Sequence, residues 1–221
     1  MAALVSEISG GPSEWWSADS PLAALSGLDE NCLVGADGTK KSLADLKGKT
    51  IGLYASAHWC GPCRGYTPHL AEQYRKLQES GEEIEIIFLS CDRTAEDAKK
   101  YHSDMPWLML DFSHEDEREA VCSALEVRGI PHFSLLSPQD GTVMIQNARA
   151  AIMCEDCKFS ELPTYEAKRL AAEKAKEEED ERIRRELTEQ TNKLSAVIKG
   201  DADIVDQDGK TYPTSYFLGE R

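Results

Sequence analysis

Two cysteines two residues apart, Cys60-Gly61-Pro62-Cys63, carry the most specific chemistry in this 221-residue chain. They follow an apolar run, Ile51 to Ser56, and lead into a segment of helical periodicity. A thiol at a helix N-terminus meets unpaired backbone N–H groups and the positive end of the helix dipole, and both favour the thiolate. Cys60 is therefore expected to ionise below the free-thiol value of about 8.5, and Arg64 places a cation beside the pair. Cys63, one turn in, is expected to be more shielded. The roles follow. Cys60 attacks a substrate disulfide and forms a mixed disulfide, which Cys63 resolves into an intramolecular one. The same spacing serves zinc sites, which need a second ligand pair, and haem attachment, which needs a His directly after Cys63, where Arg64 stands. The strand–motif–helix order favours redox chemistry, for which no metal and no cofactor is expected.

The elements that must hold this motif can be read outward from it. Ile51 to Ser56 is a buried central strand. Pro62 suits the first turn of a helix, where a missing N–H is harmless, and Tyr66, Leu70, Tyr74 and Leu77 mark one face of a helix running to about Glu79. Ile84 to Ser90 is a second buried strand. Thr94 to Ser103 is a helix with Thr94 as N-cap, and Glu115 to Val127 is another. Phe133 to Leu136 and Thr142 to Ile145 form strands around Ser137-Pro138-Gln139-Asp140-Gly141. Ahead of the motif, Asn31 to Leu46 reads as a hairpin turning at Ala36-Asp37-Gly38. The βαβ alternation closed by a hairpin predicts an α/β fold, a mixed central sheet with helices on both faces. Gly129-Ile130-Pro131 directly precedes a strand, a setting for a tight cis turn, and is expected to face the cysteines.

With these residues in place, a family resemblance emerges. Ala57-His58-Trp59-Cys60-Gly61-Pro62-Cys63-Arg64 resembles the thioredoxin superfamily motif, and Ile130-Pro131 resembles its cis-proline. The finer likeness is to the tryparedoxin/nucleoredoxin branch, carried by Tyr54-Ala55-Ser56-Ala57-His58-Trp59-Cys60, by Cys63-Arg64-Gly65-Tyr66-Thr67-Pro68 and by Met105-Pro106-Trp107-Leu108-Met109-Leu110-Asp111-Phe112. The resemblance covers about residues 28–170 and implies a thioredoxin-like fold and a dithiol oxidoreductase that relays electrons to protein disulfides. The implied site is Cys60 and Cys63, supported by Trp59, Gly61, Pro62, Arg64, Ile130, Pro131 and His132. Four positions depart from the branch. Gly61-Pro62 replaces its usual Pro-Pro, which leaves the reductant open between a low-molecular-weight dithiol and a thioredoxin-reductase-type protein. Tyr54 stands where thioredoxin has a buried Asp, so proton transfer at Cys63 must use another group or water. His132 follows the cis-proline where Thr is commoner; it either tunes Cys60 or simply packs. Asp111 replaces a proline before Phe112.

The chain has seven cysteines and a net charge of -15, from 40 acidic and 25 basic residues. An acidic surface disfavours nucleic acid and anionic membranes as partners. Met1 to Gly10 does not read as a signal peptide, no stretch reaches the roughly 18 apolar residues of a membrane span, and the odd cysteine count fits a reducing compartment. A cytoplasmic location, with the nucleus also open, is the expectation. Cys154-Glu155-Asp156-Cys157 is a second such pair, but its acidic neighbours disfavour thiolates; inert thiols, a labile disulfide and a metal half-site all remain open for it. Cys32, Cys91 and Cys122 read as buried structural thiols.

Residues 1–25 read as an irregular N-terminal extension in which Trp15-Trp16 packs on the domain surface, and 26–164 as the thioredoxin-like domain. Tyr165 to Lys199, free of Gly and Pro, predicts a long charged helix of about nine turns. Ile183, Leu187, Leu194 and Val197 or Ile198 form a thin apolar line, so helix 180–199 is either solvated or a site of partner or self-association. In the acidic tail, 200–221, Ile204-Val205-Asp206-Gln207-Asp208-Gly209 resembles Leu33-Val34-Gly35-Ala36-Asp37-Gly38, and the register extends to Gly219 against Gly48. The tail is either an acidic turn or the start of a second, truncated repeat. Two functions stand beside each other: a disulfide reductase, and a thioredoxin-like interaction module in a multidomain or cytoskeletal assembly with secondary redox activity.

Overall fold

Seven consecutive residues, Thr50–Ser56, form strand β3, buried along its whole length. Such a strand must be covered on both faces, and the computed structural model of the chain shows how. It describes residues 15–28, 31–154, 159–199 and 203–213, which fall into two units meeting between Glu166 and Ala167.

In the first unit, β1 (Leu33–Val34), β2 (Lys40–Lys41), β3, α1 (Gly61–Glu79), β4 (Ile84–Ser90), α2 (Ala95–His102), β5 (Leu108–Leu110), α3 (Glu115–Ala124), β6 (His132–Leu136) and β7 (Val143–Ile145) follow in order. The strands form one sheet, β2-β1-β5-β4-β3-β6-β7. β3, β4 and β5 run parallel; β6, β7, β1 and β2 add antiparallel edges. The mixed sheet expected from the sequence is present. Alternation along β3 sends Tyr54 toward a core with Leu70, Tyr74, Phe88, Ala98 and Trp107, and Ile51, Leu53 and Ala55 toward one with Leu22, Leu25, Leu33, Val121 and Leu125. Gly52 lies under Phe133: a Cβ there would sit 2.6 Å from the ring.

Three local expectations need correction, and one strand was not anticipated. The first hairpin ends at Lys41, because Ser42 and Asp45 form a capping box that turns Leu43–Leu46 into a 3-10 helix. Helix α3 stops at Ala124, since Glu126 takes a left-handed φ of 49°. β5 carries no periodic signal of its own and exists by pairing with β4 and β1. The described part of the N-terminal segment is built into the fold. Pro21–Leu25 is a 3-10 helix with Leu22 and Leu25 buried, Ser20 donates to Gly141 O (2.7 Å), and Trp15 Nε1 donates to Leu43 O (3.1 Å).

Helix α4 (Leu162–Lys199) starts three residues before the expected Tyr165, because Pro163 is tolerated in a first helical turn. In the second unit its exposed surface carries ion pairs one turn apart, among them Arg169–Glu173, Arg182–Glu179 and Lys193–Glu189, which support a helix that buries little. Ile183, Leu187 and Leu194 are exposed; the side chains of Val197 and Ile198 lie outside the described residues. β8 (Ile204–Val205) and β9 (Thr211–Tyr212) pair as a separate two-stranded sheet. The continuation of the repeat to Gly219 lies outside the described residues. Among them, no helix is long and apolar enough to cross a membrane.

Candidate active site

The motif sits where β3 ends and α1 begins, at the carboxyl edge of the parallel strands, the usual place for a site in an α/β sheet. Cys60 has extended φ/ψ (−81°, 111°) and is the N-cap of α1; its Sγ accepts the Cys63 N–H at 3.2 Å. Cys60 and Cys63 form a disulfide, with Cα atoms 5.2 Å apart. Cys63 is fully buried and Cys60 is 6% exposed. The Ile130–Pro131 bond is cis, as the sequence implied, and the Ile130 carbonyl oxygen lies 3.7 Å from Cys60 Sγ.

The flanks brace this geometry. Trp59 is 56% exposed, and its indole N–H donates to Cys91 O at 3.0 Å. The His58 N–H donates to Asp92 Oδ1 (2.8 Å), and Asp92 is itself fixed by Ser90 Oγ. Arg64 is exposed, and its guanidinium donates to His58 O. The structure therefore shows the cation tying down the loop before the cysteines. Gly61 and Pro62 are exposed on the rim.

His132 is buried and pairs with Ser134 Oγ at 2.9 Å; burial lowers its pKa and favours the neutral ring. Of the two roles open for it, packing has a visible partner in Ser134. Beneath Cys63 lies a hydroxyl cluster. Thr67 Oγ1 donates to Cys63 O (2.9 Å) and is 2.7 Å from Tyr54 Oη and 2.6 Å from Tyr101 Oη. Burial pushes the Tyr54 phenol well above its ordinary pKa, so the group standing in the place of thioredoxin's Asp is a neutral hydrogen-bonding phenol.

Sequence reasoning missed Thr67, Tyr101, Asp92 and Ser90. Thr67 was reachable, one helical turn after Cys63. Ser90 and Asp92 were reachable too, since the end of β4 lies beside the end of β3 in any parallel pair. Tyr101 comes from α2 and had no local signal. Cys91 and Cys122, expected to be buried, are only half-buried, because both sit where packed elements meet solvent. Cys157 lies outside the described residues. Among those residues, no group of three or more His, Cys, Asp or Glu side chains is placed to hold a metal ion.

A disulfide at a helix N-terminus, facing a cis-proline on a mixed sheet, defines a thioredoxin-fold dithiol protein. A family model described as thioredoxin-like matches residues 48–143. Tryparedoxin II from C. fasciculata is 31% identical, with a TM-score of 0.57 over 62% of this chain and 90% of that one. A structure of tryparedoxin II complexed with glutathionylspermidine is 29% identical, with a TM-score of 0.57 over 63% of this chain and 99% of that one. Mouse nucleoredoxin is 40% identical over 122 residues, 55% of this chain. The chain belongs to the thioredoxin superfamily, in its tryparedoxin/nucleoredoxin-like branch. It spans 28% of the length of mouse nucleoredoxin.

Proposed function

We propose that this chain is a thiol–disulfide oxidoreductase that reduces protein disulfides through Cys60 and Cys63. The observation that carries the reading is the Cys60–Cys63 disulfide at the start of α1, opposite the cis Ile130–Pro131 bond. In the reduced protein, the Cys63 N–H and the helix N-terminus stabilise a Cys60 thiolate. That thiolate attacks one sulfur of a substrate disulfide, and the other sulfur leaves as a thiolate. Cys63 then gives up its proton, to that thiolate or to water, and attacks Cys60 Sγ. The second substrate sulfur is released, and the internal disulfide remains. Two electrons pass from the dithiol to the substrate. The Tyr54, Thr67 and Tyr101 hydroxyls orient the Cys63 turn.

The exposed Trp59 and the half-buried Ile130 flank Cys60 and form the surface that meets substrate. Return to the dithiol requires an external thiol; the relative bound to glutathionylspermidine supports a low-molecular-weight thiol for this step. The free thiols of Cys91 and Cys122 support a reducing compartment such as the cytoplasm. Insulin-disulfide reduction driven by dithiothreitol tests the reading. Cys60→Ser should lose activity about 100-fold or more, and Cys63→Ser should trap a mixed disulfide; equal rates for wild type and Cys60→Ser would overturn it.

A second role rests on one observation, the exposed apolar line Ile183, Leu187 and Leu194. It favours association of helix 180–199 with a partner or another copy. Sedimentation of the full chain beside Leu187→Lys distinguishes self-association from a solvated helix.

A further inference from the structure

Thr67 lies one turn after Cys63 in α1, and its hydroxyl donates to the Cys63 carbonyl at 2.9 Å. A threonine hydroxyl has one hydrogen and two lone pairs. That hydrogen is committed to Cys63, so the two phenols on Thr67 Oγ1 must both donate to it: Tyr54 from β3 at 2.7 Å and Tyr101 from α2 at 2.6 Å. The Tyr101 hydrogen is then committed as well, and Ser56, 3.3 Å away, donates to Tyr101 Oη. The hydrogens run in one direction, from Ser56 to Tyr101 to Thr67 to the Cys63 carbonyl, and in such a chain each bond polarises the next. We propose that Tyr101, acting through Thr67, is a positioning residue for the resolving step, holding Cys63 aimed at Cys60 when no disulfide joins them. This inference rests on the Cys60/Cys63 exchange proposed above.

The oxidised protein needs no such clamp, because the Cys60–Cys63 bond fixes both sulfurs. Once Cys60 is joined to substrate that bond is gone, and the Cys63 backbone is left to place the attacking sulfur. Helix α1 is weakened just there. Pro68, inside the helix, has no N–H to give the Arg64 carbonyl one turn back. The hydroxyl bond to the neighbouring Cys63 carbonyl lies beside that gap. None of the clamp's members is a sulfur, so opening the disulfide removes none of its bonds. In the resolving step the Cys63 proton has passed to the first departing thiolate or to water. Cys63 Sγ bonds to Cys60 Sγ, and the bond from Cys60 to the substrate sulfur breaks with its electron pair on the substrate. A sulfur already held in line with the breaking bond makes this step faster. The Tyr101 ring is fixed by packing as well as by its hydroxyl: it meets Phe88 edge-on with centroids 5.8 Å apart and lies 5.6 Å from the His58 ring. Its hydroxyl can therefore be removed with the ring left in place.

The test mixes the reduced full chain with equimolar dithiobis(nitrobenzoate), an aromatic disulfide. It releases one coloured thiolate when Cys60 attacks and the second when Cys63 resolves. Stopped-flow absorbance separates the two phases, and Cys60→Ser shows what the other thiols contribute. In Tyr101→Phe the second phase should be about 5-fold slower, the order of one lost hydrogen bond, while the first keeps the wild-type rate and pH profile. Thr67→Val should slow the second phase at least as much, and Thr67→Ser, which keeps the hydroxyl, should hold it near the wild-type rate. Because Tyr101 acts through Thr67, adding Tyr101→Phe to Thr67→Val should slow it no further. A second phase in Tyr101→Phe equal to that of wild type, an equal slowing of both phases, or additive slowing in the double variant overturns the proposal and leaves the reading of Cys60 and Cys63 intact. A wild-type chain that releases only the first thiolate overturns that reading, and this inference with it.

Discussion

In the first hairpin, the Gly35 N–H donates to Thr39 O (2.7 Å) and the Gly38 N–H to Gly35 O (2.9 Å). In the last, Asp206 N–H donates to Lys210 O and Gly209 N–H to Asp206 O, both at 3.0 Å. Gly38 and Gly209 have φ of 85° and 80°. The strand registers match as well: Leu33 opposite Lys41 and Val34 opposite Lys40, Ile204 opposite Tyr212 and Val205 opposite Thr211. Even the side-chain lock serves the same N–H. Asp37 accepts from Thr39 N, whereas Asp206, two turn positions earlier, accepts from Lys210 N. The surroundings then diverge. β1 pairs onward with β5 and Leu33 is fully buried, while among the described residues β8 pairs only with β9, and Val205 is 59% exposed. A turn sequence builds the same local object twice; the object becomes part of a core only where another strand and an apolar layer receive it.

The strongest test of this contrast places a charge in each hairpin. Leu33→Asp should destabilise the first unit by about 3 kcal/mol or more, the order expected for an unpaired buried charge. Val205→Asp should change it by no more than about 0.5 kcal/mol, as surface substitutions do. Urea unfolding followed by tryptophan fluorescence reads both, and equal losses would break the contrast. Gly52→Ala sharpens it at the sheet centre. The Cβ meets Phe133 and Ile86, and overpacking of this kind costs about 1–3 kcal/mol, visible as a lower urea midpoint. Gly38→Ala and Gly209→Ala should each strain their own turn by about 1 kcal/mol. The first should lower the urea midpoint, and the second should register only as faster amide exchange within β8 and β9.

The smallest effect comes from acid. Hydrogen bonds from Thr39 hold the Asp37 carboxyl below its ordinary pKa, and the bond from Lys210 N does the same for Asp206. Each folded pKa lies below the unfolded value of about 3.9. The contribution is therefore present above that pH and is lost as pH falls through the folded pKa. An NMR titration should show both carboxyls protonating below pH 4, with the two turns loosening together.

Much of the candidate site was legible because it is local. A Cys at a strand–helix junction, a Pro in the first helical turn and an Ile-Pro before a strand each constrain their own backbone, and the structure places Cys60, Cys63 and the cis Pro131 as those signals implied. The shorter first hairpin shows a local signal overlooked, the Ser42/Asp45 capping box. β5 and the buried 3-10 helix Pro21–Leu25 had no such signal. Three residues are too few to show a period, and a short apolar stretch after Ser20-Pro21 becomes core only when a helix and a sheet edge cover it. His132 was placed beside the cis-proline by its sequence position, yet its partner Ser134 depends on which way the side chain points from β6.

By itself, the sequence determined the Cys60/Cys63 dithiol motif, the helix that opens on Cys60, the cis bond at Pro131 and the two matching turns, because each depends on residues within a few positions of one another. Only the tertiary structure decided that Tyr101 joins Tyr54 and Thr67 beneath Cys63, that Asp92 braces His58, and that Leu33 of the first hairpin is buried while Val205 of the last is exposed. Those outcomes turn on contacts between residues far apart in the chain, made only once the sheet order has brought the elements together.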